Sequence, residues 1–181
     1  MKKILYSTAF VLIFCFCGSN KKEENNKTET PEQMLEFISQ LETKLKGGSE
    51  SLDLVTANAL ANNYIKFQKE FPQHEKTPYC LFEAAKLCMG IERPMESVEY
   101  FEQFASQFPE NERVPLAIFL QGFIFENYLN DIENAKIKYE EYLAKYPQHE
   151  MAKDAEMALQ NLGKSPEELI REFEAKEKEK I

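Results

Sequence analysis

The sequence predicts an all-α protein, a solenoid of helix-turn-helix pairs, on three observations. A five-residue motif recurs as Phe71-Pro72-Gln73-His74-Glu75, Phe108-Pro109-Glu110-Asn111-Glu112 and Tyr146-Pro147-Gln148-His149-Glu150, at intervals of 37 and 38 residues. A self-similar period of that length is the mark of stacked repeats. Between the motifs, apolar residues recur at spacings of three and four, the helical period. No segment sustains the period-two alternation of β-branched residues that a sheet requires.

The elements follow in chain order. Met1-Lys2-Lys3 is a short basic start, and Ile4 to Phe16 is an apolar run broken only by Ser7 and Thr8. A spanning helix needs ~20 apolar residues, and a charged, Asn-rich tract follows too soon, so residues 1–16 read as a signal peptide to be set apart from the fold. Phe14-Cys15-Phe16-Cys17-Gly18-Ser19-Asn20 resembles the cleavage and lipidation site of bacterial lipoproteins, with Cys17 as the acylated residue. Phe14 and Phe16 depart from the aliphatic and small residues usual there, which keeps Cys15 as an alternative; an ordinary secretory signal or an uncleaved anchor is the plainer reading. Each buried acyl methylene contributes roughly 0.8 kcal/mol to membrane binding. Residues 17–30 are then a lipidated N-terminus and a polar tether, because Lys21 to Thr30 has no apolar periodicity with which to fold. Residues 31–181 form the helical domain.

Without Lys2 and Lys3, 20 basic residues face 31 acidic ones, a net charge of −11. Neutralising phosphates requires a basic patch, and none is visible, so nucleic acid is not an expected partner.

Pro31 to Leu45 is amphipathic through Met34, Leu35, Phe37, Ile38, Leu41 and Leu45, and Gly47-Gly48-Ser49 cuts it off. Leu52 to Phe71 pairs with it as a first, degenerate unit. Two fuller units follow, 73–109 and 110–147. The first divides into helices over Thr77–Gly90 and Pro94–Phe108, the second into Arg113–Leu129 and Ile132–Tyr146, with Asn130-Asp131 supplying a turn and an N-cap. Each motif proline ends one helix and turns the chain into the next. Glu150 to Leu162 is stopped by Gly163. Ser165-Pro166 with Glu168 then opens a last, polar helix through Lys180, the kind of end cap a solenoid needs.

Read back from its closing proline, unit 73–109 carries Ala85, Cys88, Ser97, Phe101 and Pro109, and unit 110–147 carries Gly122, Phe125, Ala135, Tyr139 and Pro147. This order of small, bulky, small, aromatic and proline resembles the tetratricopeptide repeat family. Cys88 for an aromatic and Ser97 for alanine are departures, the chain has no Trp, and the period exceeds the common 34 residues. The longer period and the aromatic-Pro-x-His motif look like the envelope branch of the family, to which the barrel-assembly lipoprotein and the Tol-Pal coordinator belong. The resemblance implies a right-handed solenoid acting as a non-catalytic protein-interaction scaffold. It implies attachment to a bacterial envelope membrane by the lipid, the outer membrane foremost, facing the periplasm, with an envelope protein or peptide as partner. A structural or assembly subunit of an outer-membrane complex is the alternative.

Residue types that could carry chemistry have plainer readings. Cys80 and Cys88 are eight apart in one helix, about 12 Å along its axis, beyond the ~7 Å that a disulfide spans between Cα atoms, so both read as small buried hydrophobes. His74 and His149 share one slot in two turns, with Asn111 in the third, which favours a turn-stabilising side chain over a metal ligand. No catalytic or phosphate-loop motif occurs, so neither enzyme activity nor a cofactor or metal is expected.

The helix Arg113–Leu129 is apolar on nearly every face and calls for burial all round. In the family, the free face of each unit's first helix lines a concave groove. That register, projected here, places Phe82, Lys86, Phe119 and Phe123 in a protein-binding groove rimmed by Lys86 and Glu126, suited to a helix or an extended peptide. The first or last helix folded across the groove would instead make it core.

Overall fold

The computed structural model describes residues 29–47 and 53–178. The expected signal peptide, both candidate lipidation cysteines and the tether before Glu29 lie outside the described residues, as do Gly48, Ser49 and residues 179–181. Among the described residues there are eight helices and no strand: α1 Pro31–Lys46, α2 Leu54–Glu70, α3 Thr77–Gly90, α4 Pro94–Gln107, α5 Val114–Asn127, α6 Ile132–Lys145, α7 Ala152–Asn161 and α8 Pro166–Lys178. Every extended interface joins helices adjacent in sequence, from α1 against α2 through α6 against α7. The architecture is thus an all-α solenoid.

The recurring motif folds the same way three times. Phe71, Phe108 and Tyr146 leave their helices with φ of −128, −128 and −131° and ψ of 58, 57 and 50°. The backbone N–H of His74, Asn111 or His149 donates to that aromatic residue's carbonyl at 3.0, 2.9 and 3.1 Å. The carbonyls of the same three residues accept from Thr77, Val114 and Ala152, which open the next helices. Their side chains do one job with two chemistries. His74 Nδ1, Asn111 Oδ1 and His149 Nδ1 accept from the backbone N–H two residues on, at 3.1, 3.0 and 3.4 Å. An imidazole protonated on Nε2 therefore imitates an Asx turn.

The change of period from 37 to 38 residues lies in the turn within each unit. Ile91 to Arg93 joins α3 to α4, whereas Tyr128 to Asp131 joins α5 to α6 with one residue more. Asp131 caps α6 by accepting from Asn134 N–H at 3.1 Å. Arg93 makes no side-chain cap but clamps α4 to α2, bonding Glu96 as well as Asn58 and Asn62.

The core repeats as well. Phe67, Phe104 and Tyr142 occupy one slot in α2, α4 and α6, are fully buried, and each packs on the aromatic residue that ends its helix, at ring separations of 5.2, 5.8 and 5.9 Å. Small residues sit where paired helices cross. Ser97 fits there because its hydroxyl donates to Ala85 carbonyl at 2.6 Å. At Gly122 the helices approach so closely that an added Cβ would lie 2.8 Å from the Tyr139 ring.

Both ends differ from the sequence expectation. The polar tract is fastened at its last two residues: Thr30 and Gln33 form a capping box on α1, and Glu29 pairs with Lys66 at 2.5 Å. Phe37 remains half exposed, because Met34 and Ile38 set the buried stripe of α1. At the far end Gly163 adopts φ +75°, and Ser165 and Glu168 form the expected capping box. α8 has no extended interface with any other described helix, although Leu169 in its first turn is partly buried. Its sequence offers too few apolar residues to bury.

Candidate protein-binding site

The odd-numbered helices form one face of the solenoid and the even-numbered helices the other. On the odd face, α1 and α3 flank a groove of about 290 Å³ floored by Leu60 and Tyr64 of α2. Tyr79, Glu83 and Lys86 line it from α3, at successive turns of the helix. Glu42 faces them from α1, and its Oε1 accepts from Tyr64 and Tyr79 hydroxyls at 2.5 and 2.9 Å. Burial, reinforced by the hydrogen bond to Glu42, raises the Tyr64 hydroxyl far above the ordinary tyrosine range. Glu83 pairs with Lys86 at 2.9 Å and Arg113 at 3.4 Å. These pairs are partly solvated, so each contributes little, about 0–1 kcal/mol, and their groups stay available to a partner.

The five residues expected to line the groove do not share one environment. Phe82 is only 2% exposed, and its ring packs edge-on against Phe101 and Phe104 with the Arg113 guanidinium over it. Its place as a groove wall is therefore corrected. Phe119, 37 residues on, repeats this arrangement against Tyr139 and Tyr142 and is only partly exposed. Both rings close the interface inside their own helix pair, one residue out of register with the open face. Lys86 and Phe123 do share the outward slot: Lys86 is exposed, and Phe123 is partly exposed beside Tyr128. Glu126 is engaged by Tyr139, whose hydroxyl donates to it at 2.7 Å.

Three residues that matter here were missed: Glu42, Tyr79 and Glu83. The signal for two was available, since Tyr79, Glu83 and Lys86 are spaced i, i+4, i+7. The equivalent slots of α5 hold Leu116, Leu120 and Phe123, all partly buried. The odd face thus changes from charged and hydroxylated on α3 to apolar on α5.

Cys80 and Cys88 are free and buried, and desolvation pushes their thiols up to about 12 and about 11. Neither offers a reactive thiolate near neutral pH.

A tetratricopeptide repeat model matches residues 116–149, from the first turn of α5 through the third aromatic-Pro-x-His turn. No curated protein matches the chain. With α1 to α7 stacked in sequence among the described residues and one repeat matched, the fold is an all-α, tetratricopeptide-like solenoid. Repeats of this type generally mediate protein–protein interaction, and their fold typically serves as a non-catalytic scaffold.

Proposed function

We propose that this chain is a lipid-anchored scaffold of a bacterial envelope that recruits a protein or peptide to the odd-helix face of its solenoid, without catalysis of its own. The observation that carries this reading is the face left open among the described residues: neither α1 nor α8 has an extended interface with α5, and a groove opens between α1 and α3. The neighbouring strip of Leu116, Leu120 and Phe123 supplies apolar contact, while Tyr79, Glu83 and Lys86 supply polar selectivity. The anchor is an acylated Cys17, with Cys15 as the other candidate, and the solenoid faces the periplasm, tethered to the outer membrane. Tethering raises the effective concentration of the scaffold for partners on the same membrane. The similarity to the barrel-assembly lipoprotein and the Tol-Pal coordinator in repeat length and turn motif supports this placement.

A photoreactive residue at Phe123 or Tyr79, in cells, tests the groove. One discrete protein captured at both positions, and not from Ile137 on α6, is the expected result; crosslinks confined to the chain would overturn it. Incorporation of a palmitate analogue, lost in Cys17→Ala, tests the anchor.

A specific observation favours a second reading, a structural subunit docked through its edge. Leu54, Val55, Met95 and Ile132 occupy the first two positions of α2, α4 and α6 and are 56, 80, 64 and 38% exposed. All four stand at the N-termini of even-numbered helices, and none lines the groove. Loss of complex assembly in Val55→Ser/Met95→Ser, with groove capture intact, would establish this reading instead.

A further inference from the structure

We infer that the even-helix face carries a second site, a cleft between α4 and α6 that receives the carboxamide side chain of a glutamine or asparagine from a protein partner. The cleft has a volume of about 260 Å³. Val114, Ile118 and Gln121 of α5 floor it, Glu102 lines it from α4, and Lys138 and Glu141 line it from α6.

Gln121 is the anomaly. It is 1% exposed, its Nε2 donates to Ala117 carbonyl at 3.3 Å, and its Oε1 has no hydrogen-bond partner among the described residues. Buried amide oxygens are almost always satisfied, and one left alone costs free energy. The fold does not demand a polar residue there. In the preceding unit the same slot holds Ala84, fully buried, and the slot of Lys138 holds Tyr100. Gln68 and Gln107 bond each other at 3.3 Å at that level of α2 and α4. The corresponding cleft between α2 and α4, about 430 Å³ and lined by Ile65, Lys69 and Tyr100, is open too but has Ala84 in the slot of Gln121, so the acceptor in the floor is what sets the later cleft apart.

The polar groups select the ligand. Gln121 Oε1 requires a donor. Lys138 Nζ has a single long contact, 3.4 Å to Glu141, and keeps donors free, while its side chain is 19% exposed. Glu141 is also held by Lys145 at 2.7 Å. Two lysines thus balance Glu102 and Glu141, and the cleft favours neither an anion nor a cation. A neutral group with one donor and one acceptor matches. The carboxamide N–H donates to Gln121 Oε1, its carbonyl accepts from Lys138 Nζ, and its methylenes lie on Val114 and Ile118. The volume is below the ~300–1,000 Å³ of small-molecule sites and suits one side chain. This site lies on other elements than the odd-face groove and stands independently of it.

The test is a titration of the isotopically labelled full chain with N-acetyl-glutamine methylamide, followed through the Gln121 side-chain amide resonance. Saturation at roughly millimolar probe is expected for so small a ligand. Binding should be at least tenfold weaker for N-acetyl-norleucine methylamide, and tenfold weaker in Gln121→Met and in Lys138→Met, with melting temperature checked for both. An absent response, or an equal one to the norleucine probe, would mean that water completes Gln121, and the proposal fails. Tighter binding of free glutamine than of the capped probe would also overturn it, in favour of a small-molecule site. Gln121→Met should leave capture at Phe123 unchanged, so the two readings fail separately.

Discussion

Units 73–109 and 110–147 share a backbone and differ in what they place on it. Their closing turns agree within a few degrees in φ and ψ, their aromatic cores occupy the same slots, and both close with the same pair of turn hydrogen bonds. Against that constant frame, Ala85 becomes Gly122, Phe101 becomes Tyr139, Ala84 becomes Gln121 and Lys86 becomes Phe123. The difference teaches that the repeat specifies geometry through a few buried aromatics and turn residues, and leaves both faces free to diversify.

The largest effect should come from the helix crossing. Gly122→Ala places a Cβ 2.8 Å from the Tyr139 ring, and overpacking of that kind costs roughly 1–3 kcal/mol. Urea denaturation would measure it, and a neutral outcome would show that the Tyr139 ring can shift as the frame in unit 73–109 does around Ala85. Next, Tyr139→Phe restores the residue type of the earlier unit but strips the bond to Glu126, and should lose about 1.5 kcal/mol.

Smaller effects probe the turns. His74→Ala should lose about 1 kcal/mol, while His74→Asn should be nearly neutral, because Asn111 already does the same work. Unequal behaviour would break the equivalence of these two turns; the third differs in that His149 Nδ1 also bonds the Tyr142 hydroxyl at 2.7 Å. The smallest change is a gain: Glu92 holds φ +60° where the later unit has Asn130 at +50°, and Asn tolerates that left-handed region better. Glu92→Asn should therefore stabilise by about 0.5 kcal/mol, read in the same denaturation series.

Alkaline pH separates the units differently. Burial, together with hydrogen bonds to Glu42 and Glu126, raises the Tyr64 and Tyr139 hydroxyls well above their ordinary value. A group raised in the folded state stabilises it below the unfolded value of about 10, and that stability is lost as pH rises beyond it. Unfolding should set in above about pH 10, and Tyr64→Phe/Tyr139→Phe should flatten the dependence. Phe101, in the same slot of unit 73–109, carries no such titration.

Much of the fold was legible because repeats announce themselves locally. Proline cannot continue a helix, so each Phe-Pro or Tyr-Pro pair fixed a helix end to within a residue. Ser165 and Glu168 read directly as a capping box, and Asp131 as an N-cap. The candidate site was less legible. Phe82 and Phe119 share the apolar spacing of their helices with residues that face outward, and one step of register separates a core ring from a groove wall. Glu42 could not be tied to Tyr64 and Tyr79 from sequence, because the three come from three helices.

The sequence alone determined the class of structure, its period, the helix boundaries and the turn chemistry, since all of these depend on interactions within a few residues. Tertiary structure decided which face each aromatic joins, that α8 has no extended interface with the other described helices, and that Gln121 Oε1 lacks a partner among the described residues. Those outcomes depend on how helices cross, and the crossing is set by side-chain volumes brought together from distant parts of the chain.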